Sequence, residues 1–196
     1  ASTCGVCGAC HDDDDGTIAM RTVHVHAFDL LLDNVNWLRW ACDHFRVPSC
    51  RIVHAAAGDH GENNLRTTKA VMTPNGIGFG YERAGVFPEG TIHPSAGLVT
   101  VNSTAVDDYL DENRVAFAHV ISIDAEGHDP WVLRGLSKSF AARRVGVVEF
   151  EVSGRKEITK WSAEHQVNMT LGPTVHWLHQ LQYDCFWETP SGCVVP

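Results

Sequence analysis

The chain has 196 residues, 44% of them hydrophobic, which is enough to bury one full core, and no shift of composition divides it into two halves. Its 24 acidic residues outnumber 15 basic ones for a formal net charge of -9, which repels a phosphate backbone and argues against a nucleic-acid partner. No run approaches the roughly 18 apolar residues of a membrane span, so no span is expected in this chain.

After an N-terminal segment of cysteines and aspartates, residues 22–28 (T-V-H-V-H-A-F) alternate and then run apolar, as a half-buried strand does, with Asp29 at its exit. From Asp33 the apolar positions Val35, Leu38, Ala41, Cys42 and Phe45 fall at helical spacing, with Asp33 or Asn34 as the cap and Pro48 beyond the end. Residues 51–57 (R-I-V-H-A-A-A) predict a second strand, and Gly58-Asp59-His60-Gly61 a turn at its carboxyl end. Residues 61–100 lack a strong period and are rich in Gly and Pro, which predicts an inserted loop region or short hairpins.

Residues 104–113 predict a short capped helix, and residues 119–123 a buried strand. An acidic turn follows, Asp124-Ala125-Glu126-Gly127-His128-Asp129, and Pro130 opens a helix that turns Trp131, Leu133 and Leu136 to the sheet. Residues 145–152 read as another strand, 153–169 as loop or irregular helix, and 174–181 as a helix. Residues 183–188 and 193–196 complete a terminal antiparallel hairpin. The six tryptophans are expected mostly in the core. Strands alternating with helices predict an α/β, Rossmann-like three-layer domain with a mainly parallel sheet. It reads as a single domain over residues 1–196, trimmed at both ends.

Seven cysteines cannot all pair within the chain, and Cys42 with Cys50 or Cys185 with Cys193 are close enough to staple a short loop. Cys4, Cys7 and Cys10 have the spacing of a zinc or cluster site, and Cys7 to His11 matches the C-x-x-C-H pattern of haem attachment. Neither has support elsewhere in the chain, and no metal site is assigned. The pairs His24 with His26 and His176 with His179 have ligand spacing without a matching carboxylate or cysteine.

In an open α/β sheet, ligands bind at the carboxyl ends of the strands, where Asp29 and Asp124 stand. Several blocks there carry a resemblance: Val25-His26-Ala27-Phe28-Asp29, A-A-A-G-D-H-G at 55–61, T-A-V-D-D-Y-L at 104–110, I-S-I-D-A-E-G-H-D-P-W-V-L-R-G-L at 121–136, V-V-E-F-E at 147–151 and L-Q-Y-D-C-F-W at 181–187. From about Val23 to the end, the chain resembles the FkbM-type methyltransferases, which use S-adenosyl-L-methionine on a class I Rossmann-like fold. The resemblance implies that Asp29 holds the cofactor ribose, that Ala57 to Asp59 border its adenine, and that Asp124 and Glu126 face the sulfonium and the acceptor. Asp124, Glu126 or His128 would assist proton removal from an acceptor hydroxyl. The family's glycine turn, D-x-G-A-N-x-G, is altered here: Gly8 and Ala9 fit it, whereas Val6 replaces its acid and Asp12 its last glycine. The implied activity is O-methylation of a sugar or small polar metabolite, with a small-molecule or glycan substrate. The altered turn supports an alternative, a non-catalytic module of the same fold serving as a subunit of a larger assembly.

Overall fold

The computed structural model describes residues 23–59, 67–72, 85–86, 97–125, 128–151, 170–188 and 194–195. The first strand β1 (His24–Asp29) leads into helix α1 (Leu32–His44) and returns as β2 (Ser49–His54), which pairs parallel with β1 from His24↔Ser49 to Asp29↔His54. A disulfide between Cys42 and Cys50, with Cα atoms 6.2 Å apart, ties the end of α1 to β2.

The predicted strand over 51–57 is broken. Ala55 bends out, its N–H donating to the Asp29 carbonyl at 3.1 Å just past the end of β1, and the chain then joins a different sheet. There β3 (Ala56–Gly58) runs parallel to β6 (Gly97–Ala105), and β6 pairs antiparallel with β4 (Thr67–Met72), which pairs with β5 (Gly85–Val86). These strands fall within and beside the segment expected as an insertion.

Helix α2 (Val106–Glu112) precedes β7 (Ala118–Ile123), which pairs parallel with β8 (Val145–Phe150). Between them lie α3 (Asp129–Arg134) and α4 (Ser137–Ala141), and after β8 comes α5 (Leu171–Gln180). Pro130 sits in the first turn of α3, where its missing N–H costs no helical bond. The tail pairs antiparallel over two residues only, β9 (Trp187–Glu188) with β10 (Val194–Val195).

Parallel pairing therefore recurs as β1–β2, β3–β6 and β7–β8, but in separate small sheets among the described residues rather than in one continuous sheet. The three expected layers are likewise not assembled among them. Ile121 and Val148, register partners, pack on the helical core, whereas their neighbours Val120 and Val147, also partners, are 67% and 58% exposed. One face of the β7–β8 pair thus lacks a covering layer among the described residues.

The core joins α2, β7, α3, α4, β8 and α5 through Tyr109, Leu110, Ile123, Leu133, Leu136, Phe140 and Leu178. Phe140 is fully buried and meets Trp177 and Tyr183 edge-on at 5.7 and 5.2 Å. Burial of each such side chain contributes about 1.5–3 kcal/mol. Trp131 is buried and Trp177 packs against this core, but Trp37, Trp40 and Trp187 are half exposed, contrary to expectation, and Trp161 lies outside the described residues. On α1 the buried position is Val35, and at 100° per residue Trp37 points to the opposite side.

Cys185 is a free thiol, so the expected Cys185–Cys193 staple is not formed. Cys185 precedes the paired stretch, in which Trp187 faces Val195 and Glu188 faces Val194.

Candidate functional site at the carboxyl ends of the parallel strands

A cavity of about 1810 Å³ opens between β1 and β7, and Asp29, Ala57, Asp124 and His128 stand on its wall. Four of the residues singled out in the sequence, from three distant stretches, thus share one surface. Asp59 stands apart from it and pairs with the Arg134 Nε at 3.4 Å, which fastens the β3 exit to α3. Gly8, Ala9 and Glu126 lie outside the described residues, as do Cys4, Cys7, Cys10 and His11. Among the described residues no group of three or more His, Cys, Asp or Glu could hold a metal ion.

Asp29 is oriented by the turn that follows β1. Its Oδ1 accepts from the Leu31 N–H at 2.7 Å and its Oδ2 from the Asn34 Nδ2 at 3.0 Å. A carboxylate has about four lone-pair sites, so roughly two remain for a ligand. Asn34 is a site residue that periodicity could not reveal, because its role depends on the turn folding back rather than on its own helical position.

The other wall is organised by Asp129, which is fully buried and does not face the cavity. Its Oδ2 accepts from the Ala125 N–H at 3.3 Å and its Oδ1 from the Glu151 N–H at 3.1 Å. One carboxylate therefore ties the exit of β7 to the exit of β8. Burial raises its pKa, against the opposing pull of the Glu151 and Ala125 amides. This side chain holds backbone and is not presented to a substrate.

His128 is buried, with its ring stacked on Trp131 at 5.1 Å and 1° between planes. Burial pushes its pKa down to about 4, so the imidazole is neutral at pH 7. A Cβ added to Gly58 would meet the His128 Nε2 at 3.4 Å, an ordinary contact, which places β3 beside the ring. Gly135, from the V-L-R-G block, is tighter still, since a Cβ on it would run into the Gly58 carbonyl oxygen. Gly135 is thus required by close approach and not by its backbone conformation, since its φ of -64° is ordinary for a helix.

Farther along the cavity, Tyr109 of α2 bonds its hydroxyl to the His26 Nδ1 at 2.7 Å and meets Phe28 edge-on at 4.7 Å. Burial, then the Arg51 and His24 charges, lower the His26 pKa. His24 instead meets the Ser49 hydroxyl at 2.7 Å, and His176 meets Gln180 at 3.0 Å, so three of the four histidines in the pairs with ligand spacing make ordinary polar contacts. No described helix is long and apolar enough to cross a membrane.

No curated protein and no solved structure gives a significant match to the chain. The model of the methyltransferase FkbM domain matches residues 7–185, nearly the whole sequence, and the chain belongs to that family.

Proposed function

We propose that this chain is an S-adenosyl-L-methionine-dependent methyltransferase that acts on a hydroxyl of a glycan or small polar metabolite. Family membership supports methyl transfer. The observation that carries the assignment of the site is the convergence of Asp29, Ala57, Asp124 and His128 on one cavity wall at the carboxyl ends of parallel strands.

The residues fit a nucleoside cofactor. Asp29 is held rigidly by Leu31 and Asn34 and retains lone pairs for two ribose hydroxyls. Ala57 offers a small apolar surface to a flat base, and a net charge of -9 favours a cationic ligand. The cofactor supplies a methyl group activated on a sulfonium. What the chain itself contributes is alignment of the acceptor and a place for its proton. Asp124 is exposed on the wall and is the carboxylate placed to accept that proton, with Glu126 two residues on. His128 is buried and stacked on Trp131 rather than exposed on the wall as Asp124 is, and it serves as a flat surface beside that carboxylate.

A second reading has one specific observation in its favour: both Asp29 oxygens already serve the turn, as they would in a non-catalytic module that forms part of a larger assembly. Calorimetric titration with S-adenosylhomocysteine separates the two. Micromolar binding that weakens at least on the order of tenfold in Asp29→Ala supports the cofactor site, since one lost charged hydrogen bond is worth about 1.5–3 kcal/mol. No heat from the folded chain would leave the non-catalytic reading in front.

A further inference from the structure

The amino ends of the parallel strands share one edge, opposite to the candidate site. β1 and β2 start in register, His24 with Ser49, and so do β7 and β8, Ala118 with Val145. The two pairs point the same way, because Arg51 of β2 bonds Asn113 near the start of β7, while the Gly58 backbone that follows β2 lies beside His128 just past the end of β7. Three helices close at this edge in the same manner. After α1, α2 and α4 the chain turns left-handed at Arg46, Arg114 and Arg143, with φ of 53°, 56° and 54°. The next N–H returns to the carbonyl five residues back: Val47 to Cys42, Val115 to Leu110 and Arg144 to Ser139, at 2.9, 2.8 and 2.8 Å.

Glycine or asparagine is the unstrained choice at such a position, so arginine at all three asks for a reason. The helix dipole favours a cation near each carboxyl end, but it does not account for what stands beside these. Phe45, next to Arg46, is 70% exposed, and Phe117, three residues after Arg114, is 44% exposed. Arg46, Arg51, Arg114 and Arg143 are all exposed, and none enters an ion pair among the described residues. The acids on the same turns are Asp43, Asp111 and Glu112, and Asp111 is taken up by Arg144 at 2.6 Å. A chain with a net charge of -9 thus gathers cations and exposed rings on one edge.

We propose that this amino edge docks on an anionic lipid bilayer, with Arg46, Arg51, Arg114 and Arg143 meeting lipid phosphates and Phe45 and Phe117 entering the headgroup layer. Charge complementarity selects an anionic partner, since guanidinium groups pair with phosphate through planar, two-pronged hydrogen bonds. The rings select a bilayer over a soluble polyanion. A phenylalanine beside an arginine gains burial only where apolar chains lie just behind the phosphates. The left-handed turns serve this by holding each arginine beyond the end of its helix. Docked in this way, the chain turns the carboxyl ends of the strands, with Asp29 and Asp124, away from the lipid. The inference rests on the edge alone and is independent of the methyl-transfer reading.

Cosedimentation of the full chain with vesicles tests it. The chain should bind vesicles of phosphatidylcholine with phosphatidylserine and not those of phosphatidylcholine alone, and should be released as salt shortens the screening length from about 10 to 3 Å. Arg46→Asn, Arg114→Asn and Arg143→Asn together keep a residue that tolerates the left-handed turn, so the urea midpoint should hold. At about fivefold per arginine, vesicle affinity should fall on the order of a hundredfold. Phe45→Ser, at an exposed position, should weaken binding on the order of tenfold at low and high salt alike. Absence of wild-type binding to the phosphatidylserine vesicles would overturn the proposal, as would equal binding by the triple variant. A triple variant that loses stability but not affinity would also overturn it, by showing that the arginines serve only their helix ends. Binding to heparin without binding to vesicles would overturn it in favour of a soluble polyanion.

Discussion

Lowering the pH should destabilise this protein through His128 in a way that can be isolated. The imidazole titrates near 6.5 when unfolded and near 4 when folded, because burial against Trp131 disfavours the charged form. A lowered histidine pKa contributes stability that is complete above the unfolded value and is lost as pH falls toward the folded one. At about 1.4 kcal/mol per unit, the whole displacement corresponds to roughly 3 kcal/mol, a large part of the 5–15 kcal/mol typical of a domain. Urea unfolding at pH 7 and pH 4.5 should therefore show the wild type losing about 2–3 kcal/mol more than His128→Phe, which keeps a stacking ring but cannot titrate. Asp129 works in the opposite sense, since its raised pKa makes the fold lose stability as pH rises through its window, but it is common to both chains and cancels. Equal losses in the two chains would refute the burial argument.

Other substitutions probe the packing around the site. Gly135→Ala drives a methyl group into the Gly58 carbonyl and should cost about 2–4 kcal/mol in urea unfolding, although alanine is otherwise the better helix residue. Asp107 is fully buried, and its carboxylate accepts the Lys138 and Ser139 amides at 2.7 and 2.9 Å, capping α4 from another helix. Asp107→Ala should lower stability by roughly 3–5 kcal/mol and the thermal midpoint with it, because two buried amides lose a charged acceptor. Gln182 has a φ of 64° just after α5, where the Tyr183 N–H closes back on the Leu178 carbonyl at 3.0 Å. Gln182→Gly should raise stability by up to about 1 kcal/mol, as relief of the left-handed conformation exceeds the entropy glycine adds to the unfolded chain.

Much of the local structure was legible. The period of residues 33–45 gives α1, the apolar run before Asp124 gives β7, and Pro130 marks the start of α3. The sequence could not show that residues 51–57 split at Ala55, because the bend answers to the Asp29 carbonyl on a different strand. Helix ends were obscure for a related reason: Arg46, Arg114, Arg143 and Gln182 occupy positive-φ closing positions where glycine would have been the cue. At the site, strand exits flagged Asp29 and Asp124, and both reached the cavity wall. Asp129 looked like another reactive acid of the same turn. Only the fold shows it turned inward to hold the Ala125 and Glu151 amides, one of them 22 residues away.

The most direct test of the account is a map of amide chemical shifts in the labelled chain as S-adenosylhomocysteine is added. The account predicts changes concentrated at Asp29, Leu31, Asn34, Ala57 and Asp124, around the carboxyl ends of β1 and β7. An unperturbed spectrum at millimolar ligand, or changes confined to the β4–β6 strands, would contradict it.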